Sequence, residues 1–327
     1  MIEPLYREHA STIRALAYRM TGSVADAEEI AQDTFIRALD APAGTLLGRN
    51  WLLTVAANLA RDRLRRRKRT AYVGPWLPEA REAEADPGTA DPERRYGLRE
   101  SASFAFLLAL EPLTSRQRAV LLLRDVFDLS VEETAATLRM GVGAVRVMHH
   151  RARAALAGYD EERSLATRER LGLVRDALER LAFAVATGDP ARVEKVLAEQ
   201  ATLRADGGGR FGAVRQVIRG AKAIARLALF GEQRGSAYRT GLALRENING
   251  APAFVVDSQP PPGVDVAPRV VLACDVDGAG RITVLYVLAS PEKVSRLPAS
   301  EGLSLHEVDD EPQGDGDGPG ERSHAAG

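Results

Sequence analysis

The sequence predicts two all-α domains followed by an α+β domain, and three observations carry that prediction. Residues 1–70 and 101–158 are rich in Ala, Leu and Arg, with apolar positions recurring at helical spacing. Between them, residues 71–100 hold Pro75, Pro78, Pro87 and Pro92 among many charges, which is the composition of a linker. From residue 165 to 298 the pattern changes to helical stripes followed by short strand-like runs. Residues 299–327 contain Asp, Glu, Gly and Pro with few apolar anchors, as a disordered acidic tail would.

In the first block, Ala27, Ile30, Ala31, Thr34, Phe35 and Ala38 share one helical face, and Ser23 with Asp26 resembles a capping box. The opposite face carries Glu28, Glu29, Gln32, Asp33 and Arg37. A second helix, Trp51 to Arg67, is expected to bury Leu52, Val55, Ala56 and Leu59, with Trp51 starting that stripe as a core residue. Its other face presents Asn58, Arg61, Asp62 and Arg65. Arginines crowd its C-terminal end, where the helix dipole favours cations.

The third block has stronger punctuation. Thr114 with Gln117 and Ser130 with Glu133 form two capping boxes around a buried stripe of Ala119, Leu122, Leu123 and Val126. A helix from Val131 to Leu138, the turn Arg139-Met140-Gly141 and a helix from Val142 to Leu156 make a helix-turn-helix pattern. Val145, Ala152 and Leu156 face inward, which leaves Arg146, Val147, His150, Arg151 and Arg153 to reach DNA from the second helix. Helical hairpins imitate this pattern, and a basic face is common on a solvated bundle. The combination on one chain with a linker between is far more specific.

Composition narrows the classes. The chain's 327 residues allow two or three domains with cores of their own. No run of about 18 apolar residues occurs, and Met1-Ile2-Glu3-Pro4 does not open a secretory signal, so a cytoplasmic protein without a membrane partner is expected. Cys274 is the only cysteine, which excludes an internal disulfide and a Cys-rich zinc site; it sits in an apolar run as a small buried hydrophobe. Neither a metal nor a cofactor is expected. The formal net charge of −1 hides a segregation between the basic run Arg61–Arg69 and the acidic tail.

With those residues in view, the chain resembles bacterial extracytoplasmic-function RNA polymerase sigma factors. Asp26–Phe35, Trp51–Asn58 and Arg61-Asp62 with the arginine run resemble their region 2; Leu113-Thr114, Gln117-Arg118, Ser130–Ala135 and His150–Arg153 resemble their region 4. Val147, Met148 and His149 depart from the commonest pattern, which leaves the promoter sequence open but not the fold. The resemblance implies that Asp26, Glu28, Glu29, Gln32 and Asp33 dock on core RNA polymerase. It implies that the loop 41–50 captures an unstacked base of the promoter −10 element, flanked by Asn58, Arg61, Asp62, Arg65 and Arg66. Arg146, Val147, His150, Arg151 and Arg153 would read or clamp the −35 element.

Residues 165–298 extend beyond the two family regions. Leu171, Val174, Leu178, Leu181 and Val185 form a helical stripe, and Asp189-Pro190 starts a short helix. Thr202–Ala205 begins a strand ending at Asp206-Gly207-Gly208-Gly209-Arg210, a helix spans 221–230, and 253–256, 270–273 and 282–287 read as strands. Helices first and antiparallel strands after suggest an α+β cone similar to SnoaL-like domains. Trp76-Leu77-Pro78-Glu79, Asp206–Gly209 and, loosely, Ser290–Val294 match elements of the sigma subgroup that carries this domain. Trp76 and Leu77 are expected to dock near Asp206–Arg210, as a regulatory contact between domains; a plain strand-end turn at Gly207–Gly209 is the alternative. Catalysis is not expected: residues 165–298 contain no histidine, and turns or strand ends account for Asp206, Asp257 and Asp275. The rival to a sigma factor is a helix-turn-helix regulator whose C-terminal domain senses or transforms a small molecule. The tail has two readings, competition with DNA for the arginines or simple solvation.

Overall fold

The computed structural model describes residues 2–67, 72, 74–82, 96, 97, 99–162, 167–211 and 214–300. Lys68, Arg69, residues 83–95 and the tail from 301 lie outside the described residues. Helices α1 (Ile2–Thr21), α2 (Val24–Leu39) and α3 (Arg49–Arg67) form the first unit, and α4 (Phe104–Ala109), α5 (Ser115–Asp125), α6 (Val131–Leu138), α7 (Val142–Ala155) and α8 (Ala157–Glu162) the second.

The α2 stripe Ala27, Ile30, Ala31, Thr34, Phe35 and Ala38 is buried, and α1 contributes Ile13, Leu16, Ala17 and Met20 to the same core. That core runs without a break into Leu121, Leu122, Val126 and Val145 of the second unit. Helix α3 lies in the middle and packs on α1, α2, α5 and α6. This position corrects the expected α3 stripe. Leu52 and Ala56 are fully buried, but Val55 and Leu59 are only half-buried, whereas Leu53, Ala57, Ala60 and Leu64 are buried too. A helix covered from two sides buries more than one face. Each fully buried leucine contributes about 1.5–3 kcal/mol from area alone.

The third unit begins with α9 (Arg168–Ala186) and α10 (Pro190–Val196), followed by β1 (Leu197–Asp206), β2 (Ile218–Arg219), α11 (Ala221–Gly235), β3 (Arg239–Ile248), β4 (Ala251–Ser258), β5 (Arg269–Val276), β6 (Ile282–Leu288) and α12 (Pro291–Val294). The sheet order is β2-β1-β6-β5-β4-β3. An all-antiparallel sheet was the expectation; instead β1 pairs parallel with β6, from Thr202 opposite Val284 to Asp206 opposite Leu288. The chain leaves β1 through β2, α11 and the β3–β4–β5 meander before β6 returns, so β6 arrives in the same direction.

Alternation along the strands gives the sheet two apolar faces. Phe254, Cys274 and Leu285 join Val174, Leu178 and Leu181 of α9 under the helices. On the other face Val271, Ala273, Tyr286 and Leu288 pack against Leu77 and Ala80 of the linker and Phe104 of α4. The Phe104 ring stacks on Tyr286 at 5.4 Å between centroids. A sheet of this kind exposing its second face would present a large apolar patch; here the linker and the second unit cover it.

Candidate functional site

The helix-turn-helix is built from two capped helices and a left-handed turn. Both capping boxes form: Thr114 Oγ1 accepts from Gln117 N and Ser130 Oγ from Glu133 N, while Gln117 and Glu133 accept from the two cap amides. Helix α6 ends on Arg139 at φ 51°, and α7 starts at Gly141 with no side-chain cap. Val145, Ala152 and Leu156 are fully buried, which turns Arg146, Val147, His150 and Arg151 to the outside, all of them exposed. Arg153 differs from these four. It donates to buried Asp125 through Nη2 at 2.7 Å and Nε at 3.1 Å, next to His149 Nε2 at 2.8 Å from the same carboxylate. Burial pushes the Asp125 carboxyl up, but the His149 and Arg153 hydrogen bonds outweigh it and hold it below its ordinary range.

The face of α3 is more enclosed. Asn58, Arg61 and Asp62 are half-buried, and only Arg65 and Arg66 are exposed. Arg61 donates to Asn58 Oδ1 at 2.9 Å and Arg65 to Asp62 at 2.5 Å. Burial, then the charges of Arg116 and Arg65, make the Arg61 guanidinium less basic than usual. At the start of α3, Asn50 Nδ2 donates to Glu133 of α6 at 2.8 Å, and Arg49 to the Phe127 carbonyl at 2.7 Å. At its end, Arg67 donates to the Thr21 carbonyl and pairs with Glu111. The loop before α3 holds Leu46 at 92% exposure, a large apolar side chain with nothing covering it.

On α2, Gln32 is exposed and Asp33 half-buried. Asp26 and Glu29 pair with Arg63 of α3, and Glu28 pairs with Arg296, beyond α12 in the third unit. Ile36 and Leu39 extend this face as exposed apolar positions.

The linker is gripped by the third unit at two points. At the first, buried Asp206 accepts from Leu77 N at 2.8 Å, Tyr72 Oη at 2.6 Å, Gly208 N at 3.0 Å and Lys293 Nζ at 2.7 Å. Lys293 also donates to the Leu77 carbonyl. Burial lowers the Lys293 pKa against the pull of Asp206. Gly208 has φ 63°, and a Cβ there would meet Ser290 Oγ at 2.6 Å; Arg210 pairs with Glu292 at 3.0 Å. Leu77 thus docks beside Asp206. Trp76 stands between two units: its ring lies against Gly22 of the first unit, with Arg67 4.3 Å from it, and 4.9 Å from Lys293, the side chain that donates to Asp206. Its large flat ring fills the space that only a glycine at position 22 leaves. At the second point, Glu79 Oε2 accepts from Val24 N at 2.6 Å, and Asn249 of the β3–β4 turn bonds Glu79, Arg81 and Tyr18.

Comparison with known proteins decides the family. Residues 5–70 match Sigma-70 region 2, and residues 103–156 match Sigma-70, region 4. Over 302 residues, 90% of this chain and 93% of the relative, the sequence is 31% identical to the ECF RNA polymerase sigma factor SigJ of Mycobacterium tuberculosis. The chain belongs to the ECF RNA polymerase sigma factor family. It is also 38% identical over 176 residues to the sigma factor SigG of the same organism, covering 47% of this chain and 46% of that one. The crystal structure of SigJ superposes with a TM-score of 0.67 at 27% identity, covering 88% of this chain and 97% of that one. Coverage on that scale takes in the α+β domain as well as the helices.

As a sigma factor the chain directs promoter-specific transcription initiation with core RNA polymerase and does no covalent chemistry of its own. The acids of its third domain are bonded to protein groups: Asp257 to Arg269 and Ser300, Asp275 to Tyr286 at 2.6 Å. Among the described residues no helix is long and apolar enough to cross a membrane, and no cluster of His, Cys, Asp and Glu could hold a metal ion. Lys293 lies in the Ser290–Val294 element noted in the sequence, but three other residues of the interdomain site were not anticipated from it: Asn249, Tyr18 and Arg296. Asn249-Gly250 is a hairpin-turn dipeptide, and that signal was available.

Proposed function

We propose that this sigma factor is held closed by its own C-terminal domain, and that the closed chain must open to read a promoter. One arrangement carries the reading: Asn50 at the start of α3 and Glu133 on α6 share a 2.8 Å hydrogen bond, while the linker between their two regions is bonded to Asp206 and Asn249 of the C-terminal domain. The −10 and −35 elements are about 25 base pairs apart, or about 85 Å along B-DNA. Regions that touch cannot span that distance, so the linker must release them.

In this reading Asp26, Glu28, Glu29, Gln32 and Asp33 face core polymerase, with Ile36 and Leu39 adding apolar area. Asn58, Arg61, Asp62, Arg65 and Arg66 serve the −10 element beside the base-capturing loop 41–50. The arginines bind phosphate and supply salt-dependent affinity. Arg146, Val147, His150 and Arg151 read or clamp the −35 element. Arg153 backs them from Asp125. Trp76–Glu79 with Asp206–Arg210 form the regulatory contact. The domain division follows the two grips: region 2 over 1–70, linker 71–100, region 4 over 101–158, the regulatory domain over 165–298 and the tail over 299–327. A small-molecule ligand of the C-terminal domain is the other reading. It finds less to stand on, since Asp206, Asp257 and Asp275 already hold protein partners.

The test labels region 2 and region 4 of the full chain with a fluorescent donor and acceptor. High transfer in the free chain, lost on adding core polymerase and promoter DNA, is the expected result. Low transfer in the free chain would refute the closed state. Run-off transcription by the Asp206→Ala chain against the wild type then measures what the grip does to output.

A further inference from the structure

The turn between β3 and β4 carries more contacts than a hairpin needs. Asn249 and Gly250 both have positive φ, 52° and 87°, the geometry of a two-residue hairpin turn. Asn249 is buried at 2% exposure, although hairpin tips ordinarily face solvent. Its Nδ2 donates to Tyr18 Oη at 2.7 Å and to the Glu79 carbonyl at 3.3 Å. Its Oδ1 accepts from Arg81 N at 2.8 Å, and its own amide donates to the Arg81 carbonyl at 2.9 Å. These partners set the amide's orientation, because Arg81 N can only donate and the Glu79 carbonyl only accept. Tyr18 is itself buried and donates to the same Glu79 carbonyl at 2.7 Å. Next to it, the Gly250 carbonyl accepts from Arg99 Nε at 2.7 Å, and a Cβ on Gly250 would meet the Arg99 carbonyl at 2.5 Å.

One side chain of the C-terminal domain therefore bonds a region 2 helix and the linker together. The same domain places Arg296 on Glu28, in the face read above as docking on polymerase. The Arg296–Glu28 pair is half-exposed, and such a pair is weak when alone. It needs a buried anchor to stay in place, and Asn249 supplies one.

We propose that Asn249 is the positioning residue that seats the C-terminal domain on region 2, so that Arg296 competes with core polymerase for Glu28. The proposal rests on the closed-chain reading. It assigns the polymerase face of α2 two alternative partners, the basic segment after α12 and the polymerase. Loosening the anchor raises the fraction of chains with an open α2 face, and apparent affinity rises with that fraction.

The experiment uses the full chain. Asn249→Gly keeps the positive φ, so the hairpin folds, but removes all the side-chain bonds. Tyr18→Phe keeps the buried ring and removes the hydroxyl. Hydrogen exchange at the Arg81 amide reports the anchor, and titration of labelled chain with core RNA polymerase reports affinity. Asn249→Gly is expected to speed Arg81 exchange and tighten apparent polymerase binding, each by about tenfold, and Tyr18→Phe to tighten binding by about threefold. A variant that is merely destabilised would bind polymerase more weakly. Unchanged Arg81 exchange would overturn the role of Asn249 while leaving the closed chain intact. Faster exchange with unchanged binding, in Asn249→Gly and Tyr18→Phe alike, would overturn the competition itself, while the closed chain stands or falls separately by the fluorescence transfer.

Discussion

Helices α3 and α7 carry the two arginine-bearing faces expected to meet promoter DNA, and they are held in opposite ways. Helix α7 is fixed from behind, by Val145, Ala152 and the Asp125 carboxylate, and its outer residues Arg146, Val147, His150 and Arg151 are exposed. Helix α3 is held at both ends of its polar face, by Glu133 and Phe127 at the start and by Glu111 and Thr21 at the end. The outer face of α7 is exposed, whereas the polar face of α3 is tied at its ends to region 4 and leaves only Arg65 and Arg66 of its candidate residues exposed. In the closed-chain reading, a duplex contact through α7 needs no rearrangement, whereas a −10 contact through α3 requires separation from region 4.

The largest effect tests what seats α7. Asp125→Ala leaves His149 and Arg153 against a buried position with no carboxylate and is expected to cost about 3 kcal/mol of stability, measured by urea denaturation. Acid should remove part of the same contribution. The folded Asp125 pKa is held below its ordinary 3.8, so its contribution is complete above that value and is lost as pH falls below it. If Asp125→Ala unfolds no more easily than wild type, the inner face is not what fixes the recognition helix.

Next comes the seat of Trp76, at the covered end of α3. Gly22 has φ 68°, and a Cβ there would lie 2.4 Å from the indole ring. Gly22→Ala should cost about 2 kcal/mol through backbone strain and displacement of the ring. It should also free Arg67, seen as faster exchange at the end of α3. A smaller effect separates the outer residues of α7 from Arg153. Arg151→Ala should weaken binding to −35 duplex about tenfold with no change in stability. Arg153→Ala should instead lower the denaturation midpoint, and equal behaviour of the two would erase the distinction drawn here.

How much of this could be read in the sequence depended on whether a signal was local. Capping boxes are local, and Thr114–Gln117 and Ser130–Glu133 locate α5 and α6 to the residue. The α2 stripe is periodic and appears as expected. The α3 stripe misleads because burial there depends on a second domain, which one-face periodicity cannot report. Strand β3 is hard to see because Arg245, Glu246 and Asn247 make its end polar, and Glu246 there pairs with Arg175 of α9. Leu77 meets Asp206 across 129 residues and Asn249 meets Tyr18 across 231. The Trp-Leu-Pro-Glu motif pointed at the first of these pairs, but no local pattern pointed at the second.

The smallest prediction addresses the contact that joins the two helices' domains. Glu133 uses Oε2 to cap Ser130 N at 2.7 Å and Oε1 to accept from Asn50 at 2.8 Å. Glu133→Gln retains one oxygen, which the cap amide can keep, and turns an NH2 toward the Asn50 amide. The exposed Asn50 amide can flip to accept from that NH2, so the charge-assisted link between α3 and α6 is weakened to a neutral hydrogen bond while α6 stays capped. Glu133 is exposed, and the thermal midpoint should move by no more than about 0.5 kcal/mol allows. Fluorescence transfer between regions 2 and 4 of the free chain should fall slightly, and single-stranded −10 DNA should bind slightly better without polymerase. A larger gain in −10 binding from this one substitution would mean that Glu133 alone keeps α3 covered, and that the C-terminal domain acts elsewhere. No gain at all, with transfer unchanged, would place the closure in the Arg67–Glu111 end of α3, where Trp76 and the linker sit.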